Sequence, residues 1–351
     1  MQDSASLCAA LDRLLEGESL DESQAGDLLQ ALTQNEIEPA LAGAQLAALR
    51  AKGLQPAELR GFALRMRALS RKPQLPSLGA AVDIVGTGGD RSGSFNLSTG
   101  AALLAAACGV PVIKHGNRSI SSRAGSADVL QALGLPLPLD ESAAGGCLEA
   151  CGFTFLFAPY YHPAMKRIAP VRAALGVRTL FNILGPLSNP AAPPHLVVGA
   201  YDLTTAELMA QALRGSGIRR AFVVHGAAGW DEPTPLGAFT LFDVDALQVR
   251  REQRDPADYG LPRCEIAELL GADAAHNASE LRRALSGGSS VGHRDALLLG
   301  AALALEVAGI ETTPERSLAR ARAALQSGTA AALLQRLQRF GAEQGNKGER
   351  R

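Results

Sequence analysis

Two runs of glycine and polar residues have the composition expected of a phosphate-binding site. The first is Gly86-Thr87-Gly88-Gly89-Asp90, and the second is Lys114-His115-Gly116-Asn117-Arg118. Glycines have no Cβ and adopt positive φ, so the backbone N–H groups of such a run can converge on an anion. Neither run contains the Gly-Lys-Ser/Thr of a Walker loop or the G-x-G-x-x-G of a dinucleotide site. One glycine run alone is as often a structural turn, so the prediction depends on the two runs occurring together.

The residues around these runs predict the elements that position them. Ala81 to Val85 is short, apolar and rich in branched residues, which is typical of a buried strand. A helix is predicted through the apolar run 101–107, and Ser98 and Thr99 suit its start, where free N–H groups attract phosphate. Val110 to Ile113 predicts the next strand, which would deliver the second run at its carboxyl end. Ligands of open α/β sheets bind at the carboxyl ends of strands, so we expect both runs at one edge.

The chain as a whole begins with helices and then alternates between strands and helices. Residues 1–72 contain only helical apolar patterns, and strand patterns first appear near residue 80. This predicts the α/β class, with a small all-helical domain plus a large domain that has a mostly parallel central sheet flanked by helices. The expected division is a helical domain at 1–75 completed by a helical segment at about 166–190, an α/β domain at 76–165 and 191–345, and a polar tail at 346–351, with fraying from about 341.

The composition is that of an ordinary globular protein. Of 351 residues, 47% are hydrophobic, and 34 Lys+Arg against 35 Asp+Glu leave a net charge of −1. This balance argues against a nucleic-acid-binding protein with a strongly basic face, and no uncharged apolar run is long enough to span a membrane. The five cysteines lack metal-type spacing, and their odd number favours a reducing compartment. We therefore expect a cytoplasmic enzyme that binds small molecules, with neither nucleic acid nor a membrane as partner.

Two charged features have both a surface interpretation and a chemical one. Asp231-Glu232 follows a predicted strand, Arg220 to Val224, and such pairs are usually solvated charges on a loop. Carboxylates are nevertheless the ligands that Mg²⁺ prefers, commonly one or two of them beside a substrate phosphate. Arg172 follows Pro170-Val171, and a lone arginine on a helix is mostly a surface residue. Its planar fork would also suit a bound carboxylate.

The motifs together resemble one enzyme family, the anthranilate phosphoribosyltransferases. The resemblance covers nearly the whole chain, and its motifs occur in order. They are Gly86-Thr87-Gly88-Gly89-Asp90, Phe95-Asn96-Leu97-Ser98-Thr99, Lys114-His115-Gly116-Asn117-Arg118, Gly125-Ser126-Ala127-Asp128, His162-Pro163-Ala164-Met165-Lys166, Pro170-Val171-Arg172, Arg178-Thr179 and Leu184-Gly185-Pro186-Leu187.

The resemblance implies a reaction and a set of site residues. The reaction transfers a 5-phosphoribosyl group from phosphoribosyl pyrophosphate to the amine of anthranilate, in tryptophan synthesis. It implies anthranilate contacts from Gly86, Asn117 and Arg172, with His115 and Pro186 as further lining residues. The implied contacts to phosphoribosyl pyrophosphate are Gly86, Gly89, Asp90, Ser94, Asn96, Leu97, Ser98, Thr99, Lys114, His115, Gly116, Asn117, Arg118, Ser119, Ile120, Ser121, Ser122 and Ser126.

The resemblance also implies a cofactor and an assembly. Mg²⁺ is expected, with two ions per active site when the donor is bound, and the implied metal ligands are Ser98, Asp231 and Glu232. A homodimer through the helical domain is expected. Anthranilate is an arylamine and is already neutral at pH 7, so no general base is assigned.

Three departures from the family pattern leave alternatives open. Arg91 replaces a small residue after the aspartate, Trp230 and Pro233 flank the acidic pair where smaller aliphatic residues are usual, and Gly300 replaces a frequent asparagine. A phosphoribosyltransferase for another aromatic amine is therefore an alternative. A pyrimidine nucleoside phosphorylase of related architecture is a second one, although Arg172 and Asp231-Glu232 favour the transferase. A non-catalytic, nucleic-acid-binding relative is a third, and the net charge and the intact acidic pair oppose it.

Overall fold

The computed structural model describes residues 4–33, 37–118 and 123–348. The chain begins with four helices, α1 (Ser4–Leu15), α2 (Glu22–Thr33), α3 (Pro39–Lys52) and α4 (Pro56–Ala68). Helices α3 and α4 begin with proline, whose fixed φ suits the first helical position. The fully buried Glu58 ties these helices together, because it accepts the Leu20 N–H at 2.9 Å and pairs with Lys52 Nζ at 2.9 Å. A buried carboxylate needs such partners to offset its lost hydration.

The centre of the molecule is a seven-stranded sheet with the order β3-β2-β1-β4-β5-β6-β7. The strands are β1 (Val82–Gly86), β2 (Val112–Gly116), β3 (Phe153–Phe157), β4 (His195–Gly199), β5 (Arg220–His225), β6 (Phe239–Asp245) and β7 (Val249–Arg254). The first five strands run parallel, and β6 and β7 form an antiparallel hairpin at one edge. Strand β1 lies between β2 and β4, so the connections leave it in opposite directions. That topological switch point is where open α/β sheets bind ligands.

Helices cover both faces of the sheet. They are α5 (Leu97–Ala107), α6 (Ser126–Ala132), α7 (Glu141–Cys151), α8 (Ala158–Tyr161), α9 (Met165–Leu175), α10 (Phe181–Leu184), α11 (Leu203–Leu213), α12 (Ala274–Leu285), α13 (Val291–Val307), α14 (Pro314–Gln326) and α15 (Thr329–Gly348). One core joins a sheet face to α5–α8 and α12–α15, and the other joins the opposite face to α1–α4 and α9–α11. Along β4, Leu196 and Val198 enter the second core while Val197 enters the first. This is the alternation of a strand buried on both faces.

The predicted fold class is confirmed, and three local predictions need correction. The tail is helical as far as Gly348, because it continues α15, which packs on α5 and α7 earlier along its length. Helix α5 begins at Leu97 after Asn96, so Ser98 and Thr99 lie inside its first turn and do not cap it. Strand β2 starts two residues later than predicted and contains Lys114 and His115. The predicted strands at 81–85 and 220–224 differ by one residue at their ends from β1 and β5.

Candidate active site

A cleft of about 810 Å³ lies at the carboxyl ends of β1 and β2 and the start of α5. Except for Leu97 and Pro186, every predicted site residue that the structure describes lines this cleft. Leu97 is 3% exposed and packs in the core, because it starts α5 on the side facing the sheet. Pro186 is buried near the second core. Ser119, Ile120, Ser121 and Ser122 lie outside the described residues.

The glycine run is folded around the carboxylate of Asp231. Gly88 and Gly89 have φ of 65° and 74°, which glycine adopts without strain. The Gly88 N–H donates to Asp231 Oδ2 at 2.6 Å, and the Thr87 N–H donates to the Gly199 carbonyl at 3.0 Å. The loop after β1 is therefore held by β4 and by the loop that follows β5. These contacts require residues 143 positions apart to meet, which the sheet order provides.

Two glycines at the strand ends let the acidic loop approach the sheet closely. Gly86 and Gly199 are paired in register on β1 and β4. A Cβ on Gly86 would lie 2.4 Å from Asp231 Oδ2, and one on Gly199 would lie 1.4 Å from the Asp231 carbonyl oxygen. Any larger residue at either position would push Asp231 out of the cleft. This gives Gly86 a structural role in addition to its predicted contact with substrate.

Three carboxylates meet at the base of the cleft. Asp90 Oδ2 accepts the Asp231 N–H at 3.2 Å, and Glu232 accepts the Ser98 N–H at 2.9 Å and the Ser94 hydroxyl at 3.1 Å. Burial raises the pKa of Asp231, and the charge of Asp90 raises it further. Burial likewise raises the pKa of Glu232, and the charge of Asp231 adds to that shift. A cation bound at this acidic cluster would offset both the burial of the carboxylates and their mutual repulsion.

The donor set fits Mg²⁺ shared with a bound phosphate. Carboxylate and hydroxyl oxygens are the hard ligands that this ion prefers. Within the part of the chain that the structure describes, no three His, Cys, Asp or Glu side chains converge closely enough to hold a metal ion by themselves. Oxygens of a phosphate or of water would have to complete the coordination, which is the usual arrangement for Mg²⁺.

The side chain of Lys114 is held in place and is not a flexible surface cation. Its side chain is 2% exposed on β2, and its ammonium group donates to the Ile84 carbonyl. Burial lowers its pKa, while the charges of Asp83, Glu232 and Asp231 raise it and oppose that shift. Asp83 is fully buried beside it on β1 and is held by Asn189 Nδ2 at 2.8 Å. The lysine thus brings a fixed positive charge to the wall of the cleft.

The second run reaches the cleft through the end of β2 and the start of α6. The Ser126 hydroxyl donates to the Asn117 carbonyl at 3.3 Å, and Arg118 donates to Asp128 at 2.6 Å. Asn96, which precedes α5, donates from its side chain to the carbonyl of Ala124, which precedes α6, at 3.1 Å. Both runs therefore line a single cleft at the carboxyl edge of the parallel strands.

Arg172 reaches the cleft from the helical layer that contains α1–α4 and α9–α11. It lies in the last turn of α9, which packs against α2 and α3. Its guanidinium lies 5.0 Å from the centre of the Phe181 ring, a cation–π contact that orients the fork. Burial lowers its pKa. A partly desolvated arginine of this kind gains more from pairing with a carboxylate than an exposed one does.

The sequence interpretation missed several polar residues that line the cleft, namely Arg91, Arg123, Arg178, Asn182 and Tyr201. Arg178 stacks on Tyr201 with its Cζ 4.1 Å from the ring centre, and it donates to the Gly89 carbonyl. Arg178 belongs to a quoted motif, but its partner Tyr201 lies after β4 and carries no motif of its own. Only the motif itself could have indicated Arg178.

Two of the departures, Trp230 and Gly300, have structural explanations, Arg91 is conformationally strained, and Pro233 has no structural explanation. Arg91 has a φ of 61° in the loop after Asp90, a conformation that favours glycine. Trp230 is 4% exposed and packs into the first core behind the acidic loop. A Cβ on Gly300 would lie 2.7 Å from Ala101 Cβ, so this glycine allows α13 to pack closely on α5. None of these residues displaces a predicted ligand.

Comparison with known proteins gives matches over nearly the full chain. Residues 78–331 match the model described as "Glycosyl transferase family, a/b domain", and residues 9–70 match "Glycosyl transferase family, helical bundle domain". An anthranilate phosphoribosyltransferase from Moorella thermoacetica is 44% identical over 329 residues, covering 94% of this chain and 96% of the relative.

Two solved structures share the fold. Anthranilate phosphoribosyltransferase from Thermus thermophilus has a TM-score of 0.89 and 41% identity, covering 95% of this chain and 99% of that one. The enzyme from Saccharomyces cerevisiae in complex with PRPP and Mg has a TM-score of 0.87 and 26% identity, covering 97% and 99%. The chain therefore belongs to the anthranilate phosphoribosyltransferase family of the glycosyl transferases.

Proposed function

We propose that this protein transfers the 5-phosphoribosyl group of phosphoribosyl pyrophosphate to the amine of anthranilate, giving N-(5-phosphoribosyl)anthranilate and pyrophosphate in tryptophan biosynthesis. The observation that carries the proposal is the single cleft that joins the glycine run, the buried acidic pair and Arg172. One wall suits a phosphorylated donor with its metal, and the other suits a carboxylate. The family relationship supports the same reaction.

The donor side stabilises the leaving group. Breaking the bond between ribose C1 and the pyrophosphate oxygen leaves negative charge on pyrophosphate and positive charge on the ribose. Mg²⁺ held by Asp231, Glu232 and Ser98 would neutralise pyrophosphate oxygens as a Lewis acid. Lys114 is held in place by the Ile84 carbonyl, and its ammonium group would lie beside the leaving pyrophosphate without having to move. Such preorganised donors lower the barrier without reorganisation.

The acceptor side acts by orientation. Arg172 would pair with the anthranilate carboxylate, and the Asn117 amide would direct the neutral amine toward ribose C1. The amine nitrogen forms the new C1–N bond, and its extra proton leaves to solvent after the bond has formed. Holding the two reactants in this geometry supplies catalysis by proximity, so the mechanism needs no general base.

The decisive measurement follows the loss of anthranilate fluorescence with phosphoribosyl pyrophosphate and Mg²⁺, in the wild-type protein and in Arg172→Ala. We expect a metal-dependent loss of fluorescence with both proteins. The anthranilate KM should rise about 10- to 100-fold in the variant, because it loses the charge-assisted hydrogen bonds between the guanidinium and the carboxylate. The exposed Arg167, on the same helix, is the matched control, and Arg167→Ala should leave KM unchanged.

Absence of any loss with folded wild-type protein would disprove the anthranilate assignment. Para-aminobenzoate and other aromatic amines with the same donor then test the alternative acceptor. Pyrimidine nucleosides with inorganic phosphate test the phosphorylase, which would use phosphate as the nucleophile. An unchanged anthranilate KM in Arg172→Ala would show that this arginine does not bind the acceptor.

Three further proposals concern metal number, assembly and location. Two Mg²⁺ ions per active site would use the acidic pair and Ser98, and titration of the donor complex with Mn²⁺ should count them. A homodimer through the helical domain is proposed from the resemblance to the family, and sedimentation should give twice 36.4 kDa. The five free cysteines support a cytoplasmic location, which cell fractionation tests. No helix among the described residues has the length and apolar character to cross a membrane.

A further inference from the structure

We infer that Arg178 is a positioning residue that holds the glycine run (residues 86–90) in its binding conformation. The inference rests on the proposed function, because that run is where the donor phosphates are expected to bind. Arg178 lies between α9 and α10, on the layer that carries the acceptor-side Arg172. Arg178 therefore links the helical layer directly to the glycine run.

The guanidinium of Arg178 is held by two contacts. Its Nη2 donates to the carbonyl of Gly89, and its Cζ lies 4.1 Å from the centre of the Tyr201 ring. Tyr201 is itself attached to the run, since its N–H donates to Thr87 Oγ1 at 3.2 Å. The arginine plane is thus fixed between the loop and an aromatic ring that contacts the same loop. Lysine could not reproduce this arrangement, because it lacks the planar group that stacks.

The backbone of Arg178 is anchored on the helical side. Its carbonyl accepts a hydrogen bond from Arg50 Nη1 of α3 at 2.6 Å. Helix α9 ends at Gly176 in the left-handed conformation, and the next turn is closed by the Thr179 N–H, which donates to Asn182 Oδ1 at 2.9 Å. The side chain therefore projects from a defined turn rather than from a free loop.

The other anchors of the glycine run hold the N–H groups of Thr87 and Gly88, and neither of them holds the Gly89 carbonyl. Asp231 Oδ2 accepts the Gly88 N–H at 2.6 Å. Two successive glycines with positive φ give the run more conformational freedom than other residues would. In a trans peptide the C=O and the following N–H point in opposite directions. By holding the Gly89 carbonyl, Arg178 also sets the direction of the Asp90 N–H.

The charge of Arg178 offers a different explanation, in which it contacts the donor directly. The two explanations differ in the protein without ligand. A positioning residue orders the run before the donor binds, whereas a direct contact changes only the complex. The experiment therefore measures hydrogen exchange of residues 86–90 in the ligand-free protein, and donor binding with Mg²⁺ by calorimetry.

The variants are Arg178→Ala and Arg178→Lys, with Arg219→Ala as the control. Arg219 is exposed beside the amino end of β5, away from the cleft. We expect at least tenfold faster exchange of the Gly88 and Gly89 amides in Arg178→Ala, a smaller increase in Arg178→Lys, and no change in the control. The donor dissociation constant and donor KM should rise at least tenfold in Arg178→Ala, while the anthranilate KM changes less than threefold.

Unchanged exchange in a folded Arg178→Ala variant would overturn the inference, even if donor affinity falls. A raised anthranilate KM with an unchanged donor KM would also overturn it. If Arg178→Ala does not fold, Arg178→Lys gives the same exchange readout. If the wild-type protein fails to bind the donor, the proposed function is wrong, and the exchange result still decides whether Arg178 orders the run.

Discussion

At the level of single residues, Arg91 is held in a backbone conformation that normally selects glycine. Its φ is 61°, and its side chain lines the donor side of the cleft. A left-handed conformation costs a residue with a Cβ about 1–2 kcal/mol. A strained residue at a binding site is a reason to look for function, and here the charge next to the acidic cluster suggests attraction of the donor pyrophosphate.

We predict that Arg91→Gly is more stable than the wild type and binds the donor more weakly. Relief of the strain, less the greater freedom of glycine in the unfolded chain, should raise the free energy of unfolding by about 0.5–1 kcal/mol. Urea denaturation and the donor KM measure the two effects. Arg91→Ala is the control, since it removes the charge but keeps the Cβ, and it should weaken donor binding without the gain in stability. A less stable Arg91→Gly would refute the strain argument.

At the level of elements, a buried ion pair joins the edge strand β7 to the long helix α13. Arg254 donates to both carboxylate oxygens of Glu306, at 2.8 and 2.9 Å, and both side chains are at most 9% exposed. Arg254 also pairs with Glu252, which is 38% exposed. Because β7 is otherwise a highly charged edge strand, this pair is its main polar connection to the core below it.

We predict that Glu306→Gln lowers the free energy of unfolding by about 3 kcal/mol, because it leaves the buried Arg254 with only the partly exposed Glu252 as a counter-charge. Glu252→Gln should cost less than about 1 kcal/mol, since its charge is partly in water. Chemical denaturation of both variants gives the comparison. Equal losses would mean that burial of the Arg254–Glu306 pair does not govern its contribution to stability.

At the level of the whole molecule, His162 makes stability depend on pH. It lies just after α8, where the chain passes from the sheet to the helical layer, and it is 4% exposed. Burial lowers its pKa to about 4, and the charge of Lys72 acts in the same direction. In the unfolded chain its pKa is near 6.5, so the unfolded state binds the proton first as the pH falls. The stability that depends on neutral His162 is therefore fully present above pH 6.5, and it is lost progressively between about pH 6.5 and pH 4.

We predict that His162 accounts for a loss of roughly 2 kcal/mol between pH 8 and pH 5. His115, whose pKa burial lowers well below its usual value, acts in the same direction, and Asp83, whose pKa burial raises to about 6, acts in the opposite one. The comparison must therefore be made between variants. Denaturation of the wild type and of His162→Gln at both pH values gives the free energy of unfolding. The loss of this free energy between pH 8 and pH 5 should be smaller in the variant. The exposed His276→Gln should behave as wild type, and an unaltered pH dependence in His162→Gln would exclude His162 as the cause.

Much of the fold could be predicted from the sequence. Strand β1, the glycine run and the apolar helix α5 follow from residues next to one another, because strand alternation, helix formation and glycine turns are local properties. The acidic pair and Arg172 were selected by chemistry and by resemblance, and the cleft contains both. The errors came from packing. The end of α15 is helical because it continues a helix that packs on α5 and α7, and Lys114 is buried because β1 and β3 enclose β2.

The sequence by itself determined the class of fold, the order of the elements and the motifs that identify the family. Only the tertiary structure decided which of those residues meet. Arg178 and Gly89 are 89 positions apart, and Gly88 and Asp231 are 143 apart, so no local pattern links them. They meet because β1 lies between β2 and β4, which brings loops from distant parts of the chain to one edge of the sheet. That order is set by the burial of both sheet faces, a property of the whole chain rather than of any segment.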